Sequence, residues 1–426
     1  MARQLACAGH RLVPPGETAD LCVLNSCTVT ASAARKSRHL LHQLRRANPN
    51  AALVLTGCYA ELQPDRVRLA GADLVVGNAD KDRLVQILEE RGLLTDADPV
   101  PDVDASPTPV AAGWRTRAFV KVQDGCDNRC AFCIVTVARG ASRSRPAEDI
   151  VRQIRELTAE GYREAVLSGV HLGSYGHDLG QRDGLSRLVR RILAETELPR
   201  LRLSSVEPWD LDDGFFELFS DPRVLPHLHL PLQSGCDTTL RRMARRTTAS
   251  QVSALIAAAR AAHSWMAVTT DVMVAFPGET EEEFEESFSF IERASFARLH
   301  VFRYSVRVGT PAARMPGRVD SAVATSRSRR MHELGARLEE EYKRRFLGRR
   351  ARVLWEDAEP YGLGLRWSGL TPNYLRVLTE TPAGTNLLNA STETELLQAM
   401  PGAVLGFVPG VSIQSTFAAP PFVRSA

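Results

Sequence analysis

No apolar run in this chain approaches the ~18 residues that a membrane span requires, and the start, Met1-Ala-Arg-Gln-Leu-Ala-Cys7, has neither a signal-peptide core nor a cleavage site. The expectation is a cytoplasmic protein without a membrane partner. Net charge is small too, at +3, so bulk electrostatics select no class of ligand. Internal repeats and low-complexity tracts are missing apart from one Pro-rich stretch. A disulfide frame is equally unexpected, because the eight cysteines are unevenly spaced along 426 residues; metal binding and reduced thiols suit that pattern better. What is present, 44% hydrophobic and 24% charged residues, is material for two or three globular domains.

Three of those cysteines carry the sharpest signal. Cys126-x-x-x-Cys130-x-x-Cys133 follows a strand-like run, Phe119-Val-Lys-Val-Gln123, and offers three thiolates to one iron–sulfur cluster, one fewer than a closed cluster uses. The fourth iron is then free to bind S-adenosylmethionine (SAM) through its amino and carboxylate groups, and an electron from the cluster can cleave the sulfonium. A zinc knot competes for any Cys pair. Three Cys within eight residues, with Phe132 inside the last gap, favour a [4Fe-4S] cluster at Cys126, Cys130 and Cys133.

Periodicity supplies the frame. Apolar runs at 20–26, 51–56 and 73–76, each followed by a helical pattern (29–47, 61–70, 80–93), predict a parallel α/β domain over 1–94. Residues 95–112, with Pro99, Pro101, Pro107 and Pro109, read as an extended linker. Strand candidates at 118–122, 164–168, 200–205, 227–232, 268–275 and 299–304 then alternate with helical patterns at 147–160, 185–196, 249–263 and 280–294. Six β/α units are too few for a closed eight-stranded barrel, so a partial (β/α)6 barrel is expected over 113–345, ended by a helix at about 320–346. Residues 346–424 change to short strand-like runs, a small all-β barrel in the size range of nucleic-acid-binding modules. The fold class is therefore α/β with an all-β tail. The run 343–352, six basic residues in ten, suggests phosphate contacts, and Arg241-Arg-Met-Ala-Arg-Arg246 is a second candidate.

In such a barrel, ligands sit at the carboxyl ends of the strands. Ser168 and Gly169 open the second strand's exit, which also carries His171; Ser204 and Glu207 lie at the third, with Glu207 placed to bind ribose hydroxyls. His229 and Gln233 end the fourth. These are the expected SAM contacts, and no general base is named.

Gln123-Asp-Gly-Cys-Asp-Asn-Arg-Cys-Ala-Phe-Cys-Ile-Val135, Arg139-Gly140, Leu230-Pro-Leu-Gln-Ser-Gly235 and Phe276-Pro-Gly-Glu-Thr280 together resemble the radical SAM methylthiotransferases, over nearly the whole chain. Gly169-Val-His-Leu-Gly-Ser-Tyr-Gly176 and Arg202-Leu-Ser-Ser-Val-Glu-Pro208 look like the branch that acts on N6-threonylcarbamoyladenosine beside the tRNA anticodon. The resemblance implies a C-terminal TRAM domain that binds RNA, tRNA as partner, an electron donor such as flavodoxin or ferredoxin, and a monomer. It also implies two uses of SAM: one methylates a sulfur held by a second [4Fe-4S] cluster, the other yields the radical that removes hydrogen from adenosine C2.

Family members hold that second cluster with three N-terminal Cys. Cys27 and Cys58 match two of them; the third belongs to a loop upstream of this chain's first residue, which predicts a domain lacking its first strand through a misassigned start or a true truncation. Cys7 and Cys22 are read as inert. A truncated tRNA-binding protein without methylthiolation and an enzyme acting on a ribosomal protein are the rival expectations. Two departures are visible: the family usually continues Cys-Ile-Val-Pro-Tyr where this chain has Cys133-Ile-Val-Thr-Val137, and usually has Gly where Ala275 stands.

Overall fold

The structure, a computed structural model, describes residues 1–13, 17–94 and 116–412; the expected linker at 95–112 lies outside the described residues. The chain packs as two compact units that are not contiguous in sequence.

The first unit gathers Met1–Ser106, Gly125–Ala141 and Ser305–Pro316. Its sheet is parallel, in the order β1 (Leu21–Ser26), β2 (Ala52–Gly57), β3 (Leu74–Val76). Both faces are covered, as parallel strands require. Leu24, Leu53 and Leu55 pack with Leu41 and Val67 on one face; Val54 and Val76 pack with Leu5, Leu84 and Leu88 on the other. The helices that cover the sheet are α1 (Ala2–Cys7), α2 (Ala31–Ala47), α3 (Cys58–Leu62), α4 (Pro64–Leu69) and α5 (Leu84–Glu90). Thr30 fixes the start of α2 by accepting the Ala33 N–H at 3.1 Å. Helix α3 begins at the very end of β2, three residues before the periodic pattern starts at 61. Gly57 makes that turn possible: its φ is +97°, and a Cβ there would stand 2.2 Å from the Ser26 carbonyl oxygen.

The cysteine loop belongs to the same unit. Its ends are pinned, since the Cys126 N–H donates to the Gly140 oxygen at 3.1 Å and a Cβ on Gly125 would fall 1.8 Å from the Ala141 oxygen. Helix α6 (Val135–Arg139) closes the loop. Asn78 donates Nδ2 to the Ala138 oxygen at 2.8 Å, and Ala312 donates its N–H to the Ala131 oxygen at 2.8 Å.

In the second unit, β4 (Arg117–Lys121) leads into the short β5 (Gln123–Asp124), which pairs antiparallel with β6 (Arg143–Ser144). Then α7 (Ala147–Ala159), β7 (Glu164–Ser168), α8 (Gly184–Glu195), β8 (Arg200–Leu203) and β9 (His227–His229) follow. After α9 (Asp237–Arg242) come α10 (Ala249–Ala262), β10 (Ala267–Val274), α11 (Glu281–Ala294), β11 (Arg298–Arg303) and α12 (Ser321–Arg344). Strands β4, β7 and β8 form one parallel sheet and β9, β10 and β11 another, joined through the parallel bridge Ser205–His229. This is the six-unit open barrel expected from the alternation.

Its C-terminal partner within the unit is a closed five-stranded barrel of β12 (Arg350–Tyr361), β13 (Gly364–Leu370), β14 (Arg376–Pro382), β15 (Ser391–Met400) and β16 (Ala403–Phe407). Val353, Trp355, Val377, Leu396 and Val404 fill it. The turn between β13 and β14 caps the amino ends of the open barrel's strands. Tyr374 there, at φ +67°, stacks on His227 with ring centroids 4.5 Å apart and lies 4.5 Å beneath the Arg202 guanidinium. Arg202 and Arg200 each bond the fully buried Glu164 at 2.8 Å, and donate further N–H groups to the carbonyls of Pro372 and Leu370. The RNA-module candidate is thus docked on the barrel by buried charge as well as by apolar packing.

Candidate cluster and cofactor site

Cys126, Cys130 and Cys133 are half-buried cysteines in no disulfide, on one pinned loop with a turn closed by the Cys133 N–H on the Cys130 oxygen at 3.0 Å. Among the described residues no three His, Cys, Asp or Glu side chains form a ready-made cage for a metal ion. The donor set nevertheless suits a cluster, which brings its own iron and sulfide and needs thiolates that are reduced, accessible and carried on one short segment.

At the carboxyl ends of the barrel strands, Ser168 satisfies its own hydroxyl on the Val120 oxygen at 3.3 Å. Gly169 lies against Gln123, where a Cβ would stand 3.0 Å from Oε1. That amide organises the exit: Oε1 accepts the His171 N–H at 2.9 Å while Nε2 donates to the Ser142 hydroxyl at 2.8 Å. His171 itself pairs with Asp210, both side chains buried. Its place is structural, and the sequence offered no sign of Asp210, which is 39 residues away.

Three buried polar atoms here have no hydrogen-bond partner among the described residues: Ser204 Oγ, Trp209 Nε1 and Tyr304 OH. Each sits at or just beyond the carboxyl end of β8 or β11. Unpaired buried donors are costly and mark where a polar ligand would complete them, so this end of the barrel fits SAM. Gln233 holds φ +78°, with its N–H on the Asp271 oxygen at 2.8 Å and its carbonyl accepting the Met273 N–H at 2.8 Å. The strained backbone directs the strand exit at the position predicted for a SAM contact.

Glu207 is not a free carboxylate. Arg245 grips both oxygens, at 3.0 and 2.6 Å, and lies 4.5 Å over the Trp209 ring. This also changes the reading of the basic run 241–246: Arg245 is buried, and Arg242 is bound to Glu283 at 2.7 Å, which leaves Arg241 and Arg246 to face solvent. The run 343–352 keeps more of its charge exposed. Lys343 is buried on the Met400 oxygen at 2.6 Å, whereas Arg344, Arg345, Arg349, Arg350 and Arg352 are exposed, Arg349 lying 5.7 Å over Phe346.

The other predicted thiols fall in the first unit. Cys27 and Cys58 directly follow β1 and β2, whose last residues, Ser26 and Gly57, are register partners. Ser37 accepts the Cys27 N–H at 3.1 Å and donates to the Cys27 oxygen at 3.2 Å, and Ser26 Oγ bridges the Thr56 oxygen (2.6 Å) and the Ala60 N–H (3.1 Å). Cys58 Sγ accepts from Arg139 Nε at 3.3 Å, a contact with no sign in the sequence. Cys22 is buried in β1, where burial pushes its thiol up, and Cys7 is exposed on α1. Buried Cys236, also raised by burial, bonds Glu286 at 3.0 Å.

Comparison with known proteins agrees with this layout. The sequence model of the Radical SAM superfamily matches residues 120–291, and that of uncharacterized protein family UPF0004 matches residues 1–77. The chain is 37% identical over 388 residues to threonylcarbamoyladenosine tRNA methylthiotransferase MtaB of Bacillus subtilis (strain 168), covering 87% of this chain and 84% of that protein. It is 36% identical over 365 residues to tRNA-2-methylthio-N(6)-dimethylallyladenosine synthase of Thermobifida fusca (strain YX), covering 83% and 74%. Among solved structures, the radical S-adenosylmethionine methyltransferase TsrM from Kitasatospora setae shares the fold at TM-score 0.52 and 15% identity, over 69% of this chain and 64% of that one. The chain is therefore that of a radical SAM enzyme. More narrowly, the chain belongs to the radical SAM methylthiotransferase family, and the protein is a transferase.

Proposed function

We propose that this protein adds a methylthio group to C2 of N6-threonylcarbamoyladenosine beside the anticodon of tRNA. The observation that carries the reading is the pairing of two thiol sets in one chain: the loop Cys126–Cys133, and Cys27 with Cys58 at the ends of neighbouring parallel strands. The similarity to the Bacillus subtilis enzyme over 87% of the chain supports the threonylcarbamoyl branch.

Cys126, Cys130 and Cys133 would hold one [4Fe-4S] cluster, and Cys27 and Cys58 would supply two ligands to a second. When bound, the clusters and SAM supply radical formation and sulfur transfer, chemistry beyond acid–base side chains. The chain's own task is binding, orientation and exclusion of water. Ser168 and Gly169 let backbone approach the methionyl part of SAM. The Ser204 hydroxyl, buried without a partner, gains one when the cofactor binds. Glu207, its charge offset by Arg245, is held rigid and keeps lone pairs for ribose hydroxyls. Gln233 shapes the neighbouring strand exit. The exposed arginines of 344–352 grip tRNA phosphates, and a flavodoxin or ferredoxin supplies electrons to the monomer in the cytoplasm.

The test is to express the protein in a strain deleted for its own enzyme of this class and to analyse tRNA nucleosides by mass. The 2-methylthio increment on N6-threonylcarbamoyladenosine is expected. tRNA binding and SAM cleavage with no increment would instead describe a protein that has lost methylthiolation.

A further inference from the structure

Two arginines from distant stretches of the same compact unit reach the Cys27–Cys58 pair, one bonding the Cys58 thiol and the other the backbone two residues beyond Cys27. Arg139 ends α6, six residues after Cys133, and points Nε at Cys58 Sγ from 3.3 Å. Its backbone is held in place, since Asn78 bonds the preceding carbonyl, that of Ala138, at 2.8 Å and Gly140 turns the chain at φ +71°. Arg307, from the segment Ser305–Pro316, donates Nε to the Val29 oxygen at 3.2 Å, two residues beyond Cys27. Its Nη2 is buried with no hydrogen-bond partner among the described residues. A buried guanidinium N–H with nothing to donate to is unfavourable until negative charge completes it.

We propose that Arg139 and Arg307 are positioning residues that flank the Cys27–Cys58 pair with positive charge, offsetting the negative charge that thiolates and an iron–sulfur cluster concentrate there. The proposal rests on the reading that these two thiols serve the second cluster. Arg139 adds a link of its own. It rides on the loop that carries Cys126, Cys130 and Cys133, so that a change of that loop's conformation alters the hydrogen bond on Cys58. Hydrogen bonds and positive charge at cluster sulfur favour the more reduced, more negative state, which ties this contact to the electron affinity of the second cluster.

The test uses the full chain stripped of iron under anaerobic conditions. The protein is alkylated in parallel with iodoacetate, an anion, and iodoacetamide, which is neutral, and each cysteine is read by peptide mass, buried Cys58 at longer times. Both reagents attack the thiolate, so the ratio of their rates cancels the thiolate fraction and reports the local field. Relative to exposed Cys7, the ratio at Cys27 and Cys58 is expected to be higher by roughly threefold or more in low salt, and to collapse as salt is added. Arg307→Gln should remove the excess at Cys27 and Arg139→Gln that at Cys58, while Arg307→Lys and Arg139→Lys retain it. A wild-type ratio equal to that of Cys7, or one insensitive to salt, overturns the proposal even if a Gln variant fails to fold. Iron content after reconstitution judges the underlying reading separately: about eight irons per chain supports two clusters, whereas about four removes the second cluster and leaves the charged flank to stand or fall on the ratio.

Discussion

The resemblance to the methylthiotransferases implies glycine where Ala275 stands, and a φ of +59° at Ala275 is backbone that favours glycine. A left-handed backbone costs an L-residue about 1–2 kcal/mol. The strain is held by the Ala275 N–H on Glu279 Oε1 at 3.0 Å, with Glu279 anchored to buried Arg327 at 2.8 Å. Ala275→Gly is expected to raise unfolding free energy by about 0.5–1 kcal/mol, net of glycine's greater chain entropy, as measured by urea denaturation. A lower midpoint would contradict the conformational explanation. Ser204 tests the cofactor end. Because its buried hydroxyl is unpaired, Ser204→Ala should leave ligand-free stability unchanged or slightly higher while weakening SAM binding about threefold to tenfold by calorimetry. A loss of stability with unaltered SAM affinity would remove Ser204 from the site. At this scale the cysteine spacing is plain in the sequence, and the structure carries Cys126, Cys130 and Cys133 on one short loop. Glu207 was only half readable: its type and strand-end position were visible, but Arg245, 38 residues later, could not be paired with it from sequence.

Elements were legible where local signals and packing agree. The expected helices at 249–263 and 280–294 end within a residue of the observed ones, since capping boxes at Thr248 with Gln251 and Thr280 with Glu283 fix their starts. The amino ends of the strands were not legible. Nothing in the sequence marks Glu164, Arg200 and Arg202 as covered, yet the turn carrying Tyr374 buries all three. Burial by itself pushes the Glu164 carboxyl up, but Arg202 and Arg200 outweigh it and hold it at about 2. Since the folded value lies below the unfolded one of about 4.3, the carboxylate's contribution is complete above that pH and is lost as pH falls through about 2. Glu164→Gln leaves two buried guanidiniums without a counter-charge and should cost about 3 kcal/mol or more near neutrality. The gap between variant and wild type should narrow on acidification below about pH 4.5, followed by denaturant titration at each pH. A gap independent of pH would mean that the loss is one of packing.

On the scale of the whole molecule, alternation of strand and helix was enough to foresee the open barrel, while the non-contiguous packing of Gly125–Ala141 and Ser305–Pro316 with the N-terminal sheet was not. Those segments bind through isolated hydrogen bonds such as Asn78 to Ala138 and Arg307 to Val29, which leave no periodic trace. The basic run at 343–352 divides in the same way. Arg350→Ala with Arg352→Ala should weaken tRNA binding across sequences and reduce the salt slope by roughly one for each phosphate no longer neutralised. Lys343→Ala, removing a buried bond to the Met400 oxygen, should lower stability instead. Equal effects of both changes on tRNA affinity would contradict that division.

The most direct measurement presents the anaerobically reconstituted protein, with SAM and reductant, with two anticodon stem-loops, one carrying N6-threonylcarbamoyladenosine and one isopentenyladenosine. Methylthio product on the first RNA, abolished by Cys126→Ala, is the result the account predicts. Product on the isopentenyl RNA alone, or product that survives Cys126→Ala, would contradict it.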